Sequence, residues 1–341
     1  KGKFMFKLNF KKLLPIALTG AMFFVSTMDN FAYAKTRIKC AVVAPKGSTW
    51  MNILEEWDKD LKSKTNGGLS FKFYSSGSMG DEKQVLRKMR QGQLDAGAFT
   101  GVGLGEIVSE VRLMELPFMF DSANEVDYVL DNMESTFNKK FEEKGYVNLG
   151  WAETGFVYIF TNKPIKNVYD MKGVKMWMWE GDELVQAIFK DLNLVPTPLN
   201  LTDVLTSLQT RLIDGVYGPP LGAMALQWTS KVKYMVAQKM GYATGAILIS
   251  KKTYDSLDPT DRKALNETAK VYSQKLTRSV RADNEKAKLS IKNNGIIFTE
   301  AAPATVSMMK SVSSKVADGL VGKLYSRDLL QKVRSLKQKA R

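Results

Sequence analysis

From residue 38 onward, the sequence alternates between short apolar runs and longer stretches with helical spacing. Residues 38–44 form a compact apolar run, which is typical of a buried strand. After Ser48, apolar side chains recur at spacings of three and four up to Leu61, which predicts an amphipathic helix capped by Ser48. Residues 69–73 then alternate between apolar and polar side chains. The same succession continues along the chain and predicts α/β lobes with mainly parallel sheets.

Longer segments indicate how the lobes are joined. Residues 146–162 are predicted to form two strands that meet at residues 154–155. The spacing from Pro259 to about residue 293 is helical throughout, and a helix of that length would lie across two lobes. We expect a ligand where parallel strands end. The segments predicted to surround it are residues 45–50, 100–105, 151–157, 177–182 and 216–220.

The N-terminus carries an export pattern. An apolar run over residues 13–25 follows several lysines and precedes Ala32-Tyr33-Ala34. The run is too short to cross a bilayer, which needs about 20 apolar residues, so a membrane anchor is the less favoured interpretation. We predict a signal peptide over residues 1–34, cleaved after about Ala34, and a periplasmic protein.

The composition excludes several kinds of chemistry. The sequence contains no histidine and one cysteine, Cys40, so histidine-dependent catalysis, histidine zinc sites and an internal disulfide are excluded. The run Gly101–Gly105 lacks the spacing and the lysine of nucleotide-binding motifs and is interpreted as a tight loop after a strand. We therefore expect no catalytic residue, no metal and no cofactor.

The net charge of +15 raises the question of nucleic-acid binding. The basic residues are dispersed among acidic ones along the predicted helices, and no nucleic-acid-binding motif is present. A solvated basic surface is the favoured interpretation, so nucleic acid is not expected as a partner.

Several short segments together resemble the substrate-binding subunits of TRAP transporters, the tripartite ion-driven uptake systems. They occur in the family's order across roughly residues 38–290. The segments are Gly77–Glu82, Gly92–Asp95, Leu116–Phe120, Thr161–Ile165, Asp170–Lys175, Pro196–Pro198, Asp203-Val204, Leu208-Gln209 and Asp214-Gly215. The resemblance implies a two-lobed periplasmic binding protein fold, with hinge strands and a long helix crossing both lobes. It also implies binding without chemistry and docking on TRAP membrane subunits.

Lobe boundaries follow from this resemblance. Lobe I is expected over residues 35–156 and about 244–290. Lobe II is expected over residues 157–243 and about 291–325. Residues 326–341 are interpreted as a basic C-terminal segment.

Three positions depart from the family pattern. The resemblance implies an arginine for the substrate carboxylate where this chain has Trp177. It implies a second arginine where the chain has Val157, and often an asparagine where it has Gly218. A buried carboxylate without a charged partner is strongly unfavourable. The sequence therefore favours a hydrophobic or amphipathic small organic ligand over a simple dicarboxylate, unless another lysine or arginine reaches the cleft.

Aromatic and polar side chains on the expected pocket segments are the candidate ligand-binding residues. They are Trp50, Trp151, Glu153, Phe156, Tyr158, Trp177, Trp179, Glu180, Tyr217 and Gly218. Phe156 and Tyr158 lie on one face of a strand and fit the core equally well. Glu153, Glu180 and Asp182 beside tryptophans would suit a cationic ligand, but the last two also suit the start of a helix.

Other functions stay open at this point. A periplasmic carrier of lipid-type cargo that docks on a tetratricopeptide-repeat protein would use the same fold. An enzyme built on that fold would use Glu180 and Asp182 as its acid and base, although no nucleophile accompanies them.

Overall fold

The computed structural model describes Gly2, residues 35–192 and residues 194–340. In these residues ten strands occur: β1 (Thr36–Val42), β2 (Leu69–Tyr74), β3 (Ala96–Thr100), β4 (Tyr146–Thr161), β5 (Lys175–Trp179), β6 (Val195–Leu199), β7 (Gly215–Gly218), β8 (Tyr234–Val236), β9 (Gly241–Ser250) and β10 (Ile297–Thr299). The helices before the last strand are α1 (Thr49–Lys64), α2 (Glu82–Arg90), α3 (Gly101–Gly105), α4 (Ala123–Glu143), α5 (Glu183–Asp191), α6 (Val204–Gln209), α7 (Pro220–Ala225), α8 (Lys251–Ser256) and α9 (Pro259–Asn293). Helices α10 (Pro303–Gly319) and α11 (Arg327–Lys339) follow β10, and short 3₁₀ helices span Ser109–Glu115, Val168–Met171, Leu201–Asp203 and Trp228–Ser230.

The strands form a mixed sheet in the order β2-β1-β3-β9-β4-β7-β5-β6. In what we call the first half-sheet, β1 pairs in parallel with β2 and β3. In the second half-sheet, β5 pairs in parallel with β6 and β7. The two strands between them are antiparallel to their neighbours, because β4 and β9 carry the chain between the halves. The expectation of mainly parallel sheets therefore holds only away from the centre.

Residues 146–162 do not form two strands, contrary to the expectation from sequence. They form one strand, β4, with bulges between Asn148 and Gly150 and between Glu153 and Gly155. A bulge bends a strand while its pairing continues, so the small and polar residues that suggested a turn mark a bend instead. Strand β4 pairs with β9 over most of its length and with β7 from Tyr158 onward, so it joins both half-sheets.

The long helix expected from Pro259 onward has the predicted extent. Helix α9 begins at Pro259, with Asp258 accepting a hydrogen bond from the Thr260 amide, and ends at Asn293. Its 35 residues span roughly 50 Å. It packs against β4, against α1 beside the first half-sheet, and against α7, which follows β7 of the second half-sheet.

The basic C-terminal segment is a packed helix. Leu330, Val333 and Leu336 of α11 are buried, and the helix contacts α4. The segment is therefore an amphipathic helix that carries basic side chains and buries an apolar face in the core.

Lys35–Arg341 forms one compact unit, so the boundaries expected between the lobes stay predictions. The predicted signal peptide lies, apart from Gly2, outside the described residues. Within the described part of the chain, no helix combines the length and the apolar character that a membrane span requires.

Candidate functional site

A cavity of about 280 Å³ lies where strands of both half-sheets end. Its lining includes Val42, Thr100, Trp179 and Gly218, the last residues of β1, β3, β5 and β7. These strands are parallel within each half-sheet, so their carboxyl ends meet at one edge, where ligands bind in such sheets. All five predicted pocket segments contribute residues to the lining.

An aromatic cluster forms one wall of the cavity. The ring of Trp177 stacks on Tyr217 at 5.0 Å between centroids, and it contacts Trp179 at 5.6 Å and the edge of Trp228 at 5.3 Å. The Trp177 Nε1 donates to the Leu199 carbonyl at 3.0 Å. Because its only polar group is thereby paired, Trp177 offers the cavity an apolar surface.

The three positions that depart from the family pattern all line this cavity. They are Val157, Trp177 and Gly218. No side chain at these positions carries a charge or a hydrogen-bonding group free for a ligand, because the indole of Trp177 is already paired.

The structure divides the ten candidate residues into two groups. Those that line the cavity are Trp50, Trp177, Trp179, Tyr217 and Gly218. Those that do not line it are Trp151, Glu153, Phe156, Tyr158 and Glu180.

Local packing explains why the second group lies elsewhere. Trp151 donates its indole N–H to Asn138 of α4 at 3.1 Å and packs with the aromatic rings of that helix. Phe156 packs edge-on against Tyr242, and Tyr158 is buried in the core of the second half-sheet. Glu180 is exposed in the turn before α5.

Glu153 is buried outside the lining of the cavity, in an ion pair. It accepts hydrogen bonds from the Tyr242 hydroxyl at 2.5 Å and from Arg281 Nε at 2.9 Å, and Arg281 also pairs with Asp127. The suggested cage of Glu153, Glu180 and Asp182 around a cationic ligand therefore does not assemble.

Sequence reasoning missed Arg112, the central charged residue of the site. Arg112 is 5% exposed and lines the cavity. Its Nη2 donates to Asp182 Oδ1 at 2.8 Å and Oδ2 at 2.9 Å, and its Nη1 lies 3.0 Å from Glu115 Oε2. We call Arg112, Glu115 and Asp182 the ionic cluster. Arg112 and Asp182 are 70 residues apart, so no local pattern signals their contact.

Asp182 also begins helix α5. Its Oδ1 accepts hydrogen bonds from the amides of Leu184 at 3.1 Å and Val185 at 3.2 Å. This agrees with the interpretation that Asp182 favours the start of a helix. Because Asp182 caps α5 and is paired with Arg112, while Glu180 is exposed, the two carboxylates do not form the acid–base pair that an enzyme would need.

Burial and neighbouring charges shift the pKa values of the ionic cluster. Burial raises the pKa of Glu115, although the neighbouring Arg112 opposes this shift. Burial alone would lower the pKa of Arg112, but the adjacent carboxylates of Asp182 and Glu115 raise it, so the guanidinium stays charged.

A third carboxyl group, that of Glu82, faces the cavity from α2. Its Oε1 accepts from the Thr100 amide at 2.8 Å, and its Oε2 accepts from the Gly103 amide at 2.7 Å and the Thr100 hydroxyl at 3.0 Å. Burial raises the pKa of Glu82 to about 8, against the effect of these hydrogen bonds. Burial therefore favours the protonated form of Glu82.

The glycine run is not the tight loop expected from the sequence; it is the short helix α3. Its glycines make room for the buried ionisable groups, because side chains there would occupy the same space. A Cβ would lie 2.1 Å from the carboxyl carbon of Glu115 at Gly101, 2.4 Å from Glu82 Oε2 at Gly103, and 2.8 Å from Arg112 Cδ at Gly105.

The lining carries more acidic than basic groups. Among the described lining residues, Arg112 is the only cation, against the carboxyl groups of Glu82, Glu115 and Asp182. The described residues contain no group of three or more potential metal ligands. The remaining lining is mainly aliphatic and aromatic.

Polar contacts join the two half-sheets beside the cavity. Asp81, the cap of α2, accepts from Trp179 Nε1 at 2.7 Å and from the Leu201 amide at 3.3 Å. The Arg112–Asp182 pair makes a second connection between them. Both acceptors are buried, so these contacts between the half-sheets are shielded from water.

The chain matches proteins of one bacterial family. The model of the bacterial extracellular solute-binding proteins, family 7, matches residues 40–323. A solute-binding protein of Verminephrobacter eiseniae is 24% identical over 75% of this chain and 76% of its own length. The C4-dicarboxylate-binding periplasmic protein DctP of Rhodobacter capsulatus is 23% identical over 68% of this chain and 70% of its own length.

The fold has close counterparts among solved structures. The sugar acid binding protein DctPAm of Advenella mimigardefordensis, in complex with galactonate, superposes with a TM-score of 0.85 at 20% identity. The match covers 90% of this chain and 99% of that one, which establishes a two-lobed binding-protein fold. These relatives are solute receptors rather than enzymes. The chain belongs to the bacterial extracellular solute-binding proteins of family 7, the substrate-binding subunits of TRAP transporters.

Proposed function

We propose that this protein captures a small, uncharged and largely apolar or aromatic solute outside the cytoplasmic membrane and delivers it to TRAP membrane subunits. The observation that carries the proposal is the state of Arg112. This arginine, the one cation among the described lining residues, is already paired with the carboxylates of Asp182 and Glu115.

Electrostatics disfavour an organic acid in the cavity as it stands. A carboxylate that leaves water needs a cation or several hydrogen-bond donors to replace its hydration. Here the cation is occupied, and the nearby carboxylates of the ionic cluster would repel a further negative charge. An uncharged solute meets neither penalty.

The size and the surface of the cavity support an aromatic or short aliphatic solute. A volume of about 280 Å³ falls at the small end of ligand pockets. The wall that contains Trp177, Tyr217 and Trp228 is aromatic, which suits an apolar or aromatic solute. Burial raises the pKa of Tyr217, so its hydroxyl stays protonated and can serve as a hydrogen-bond donor.

A small organic acid is the second candidate, and the relatives favour it. The Rhodobacter capsulatus protein is described as C4-dicarboxylate-binding, and the Advenella mimigardefordensis protein holds galactonate. For this chain to bind such an acid, the ligand carboxylate would have to displace Asp182 or Glu115 from Arg112.

Fluorescence titration of the mature protein at pH 7 separates the two candidates. We would use N-phenyl-1-naphthylamine as an uncharged aromatic probe, and galactonate and succinate as carboxylate probes. The proposal expects saturable binding of the aromatic probe and no binding of either acid. Binding of an acid that disappears in Arg112→Gln, without binding of the aromatic probe, would establish the second candidate.

The tetratricopeptide-repeat partner stays a prediction. Pull-down of the mature protein with a repeat protein encoded beside it would test this partnership directly.

A further inference from the structure

The geometry points to Asp182 as the residue that determines which ligands the cavity accepts. We propose that its carboxylate occupies, on Arg112, the place that the carboxylate of an organic acid would take. Asp182 would thus act as a built-in substitute for an acidic ligand and exclude such ligands. This inference deepens the proposed function and rests on it.

Carboxylates of the protein already engage both terminal nitrogens of Arg112, Asp182 at Nη2 and Glu115 at Nη1. Both oxygens of Asp182 lie within 2.9 Å of Nη2 of Arg112, and both side chains line the cavity. The two residues are almost fully buried, at 5% exposure each. Charge-assisted hydrogen bonds between guanidinium and carboxylate are strong and directional, so an occupied guanidinium is a poor site for a second acid.

Asp182, rather than Glu115, has the position of a ligand. Glu115 is three residues from Arg112 in the same 3₁₀ helix and also accepts a hydrogen bond from the Thr244 amide at 3.0 Å. Asp182 reaches Arg112 from the second half-sheet, and both side chains line the cavity that a ligand would fill. Its contact is therefore the one that a ligand carboxylate would reproduce.

Backbone hydrogen bonds fix the carboxylate of Asp182 independently of its contact with Arg112. The amides of Leu184 and Val185, at the start of α5, both donate to its Oδ1. Preorganisation of this kind lowers the entropy cost of the ion pair, which a free ligand would have to meet in full. Competition on Arg112 therefore favours Asp182 over an acid in solution.

The variant Asp182→Asn tests the inference. Its amide oxygen can still accept from the Leu184 and Val185 amides, while the negative charge is lost. Arg112 then faces Glu115 alone. We expect galactonate or succinate to bind at least about tenfold more tightly than to the wild type. The gain should vanish when Arg112→Gln is added.

The matched control is Asp258→Asn, which makes the same change at the cap of α9, where Asp258 accepts from the Thr260 amide at 2.8 Å. It should leave the binding of all probes as in the wild type. Asp182→Ser repeats the test with a second capping side chain, and circular dichroism checks that each variant is folded.

The outcomes separate this inference from the proposed function. If folded Asp182→Asn and Asp182→Ser bind N-phenyl-1-naphthylamine but neither acid, the inference is wrong and the proposed function stands. If the wild type binds the acids and not the aromatic probe, the proposed function itself is wrong. Carboxylate binding that appears only in the Asp182 variants and depends on Arg112 supports the inference, and together with binding of N-phenyl-1-naphthylamine by the wild type it supports both.

Discussion

At the scale of single residues, the buried ionisable groups depend on the absence of side chains beside them. Helix α3 places a glycine next to each of Glu115, Glu82 and Arg112. None of these glycines has a positive φ, so their role is to leave space and not to allow an unusual backbone. A motif that resembles a nucleotide-binding loop in composition therefore serves packing.

Gly103→Ala should destabilise the protein by about 2 kcal/mol, since overpacking a buried site forces its neighbours to move. The new Cβ would lie 2.4 Å from Glu82 Oε2 and 2.7 Å from a ring carbon of Phe99. Urea unfolding monitored by circular dichroism measures the loss. Gly319→Ala is the control, because nothing lies within 4 Å of its Cβ, and alanine at this helical position should be neutral or stabilising. Equal effects of the two changes would refute this account.

The pKa of Glu82 predicts a pH dependence of stability. Its pKa is raised from 4.5 to about 8 on folding, so the folded state binds the proton more tightly than the unfolded state. The stability contributed by this proton is fully present below pH 4.5 and is lost as the pH rises through 8. The loss is on the order of 4 kcal/mol.

Urea unfolding between pH 5 and pH 9 measures this effect in the wild type and in Glu82→Gln. The glutamine does not titrate, so the difference between the two proteins isolates Glu82 from other groups. Glutamine places an N–H near the donors of Thr100 or Gly103, so this variant should be less stable at pH 5 but show a flatter pH profile. Parallel profiles would contradict the assignment.

At the scale of elements, an ion pair with a buried carboxylate joins strand β4 to helix α9. Arg281 of α9 pairs with Glu153, whose side chain is 4% exposed and lies beside the bulge of β4 at Gly155. Asn284, one turn further along, donates to the Thr154 carbonyl and accepts from the Leu221 amide of α7. The helix therefore holds the bent part of β4 and the second half-sheet together.

Arg281→Met should cost about 3 kcal/mol, because it leaves the buried carboxylate of Glu153 without its cation. The control is Lys275→Met on the same helix, which breaks the exposed pair between Lys275 and Glu56. Its loss should stay below about 1 kcal/mol. Thermal and urea unfolding of both variants provide the comparison, and similar losses would show that the burial of Glu153 is unimportant.

At the scale of the whole molecule, buried hydrogen bonds between protein groups join the two half-sheets. Asp81 receives the indole N–H of Trp179 and the amide of Leu201 from the second half-sheet. These contacts hold the two half-sheets together before a ligand binds. A ligand shifts the equilibrium between open and closed states only through contacts that differ between the two states.

Trp179→Phe removes the donor to Asp81 and keeps an aromatic ring in the wall. We expect a loss of about 1–2 kcal/mol in stability and a larger radius of gyration of the ligand-free protein by small-angle X-ray scattering. Trp57→Phe is the control, because it removes an equally buried hydrogen bond, to Thr268 at 2.8 Å, within the packing of α1 and α9. This control should lose similar stability without expanding. Expansion in both variants, or in neither, would argue against Asp81 as a link between the two half-sheets.

Much of this organisation was predictable from local sequence patterns. The extent of α9, the cap of α1 at Ser48 and the strand before it follow from spacings of two, three or four residues, which act over one turn or one strand. The family segments correctly predicted the two-lobed fold, and the positions that depart from the family pattern line the cavity. The bulged course of β4 was not predictable, since the same small residues suit a turn between two strands.

By itself, the sequence determined which segments become strands and helices, which family the chain resembles, and which chemistry is excluded. Only the tertiary structure decided the electrostatics of the site. Arg112 meets Asp182 across 70 residues, and Asp81 meets Trp179 across 98. Such pairs form where separate elements pack against each other, and the exposure, the partner and the pKa of a charge are all properties of that packing.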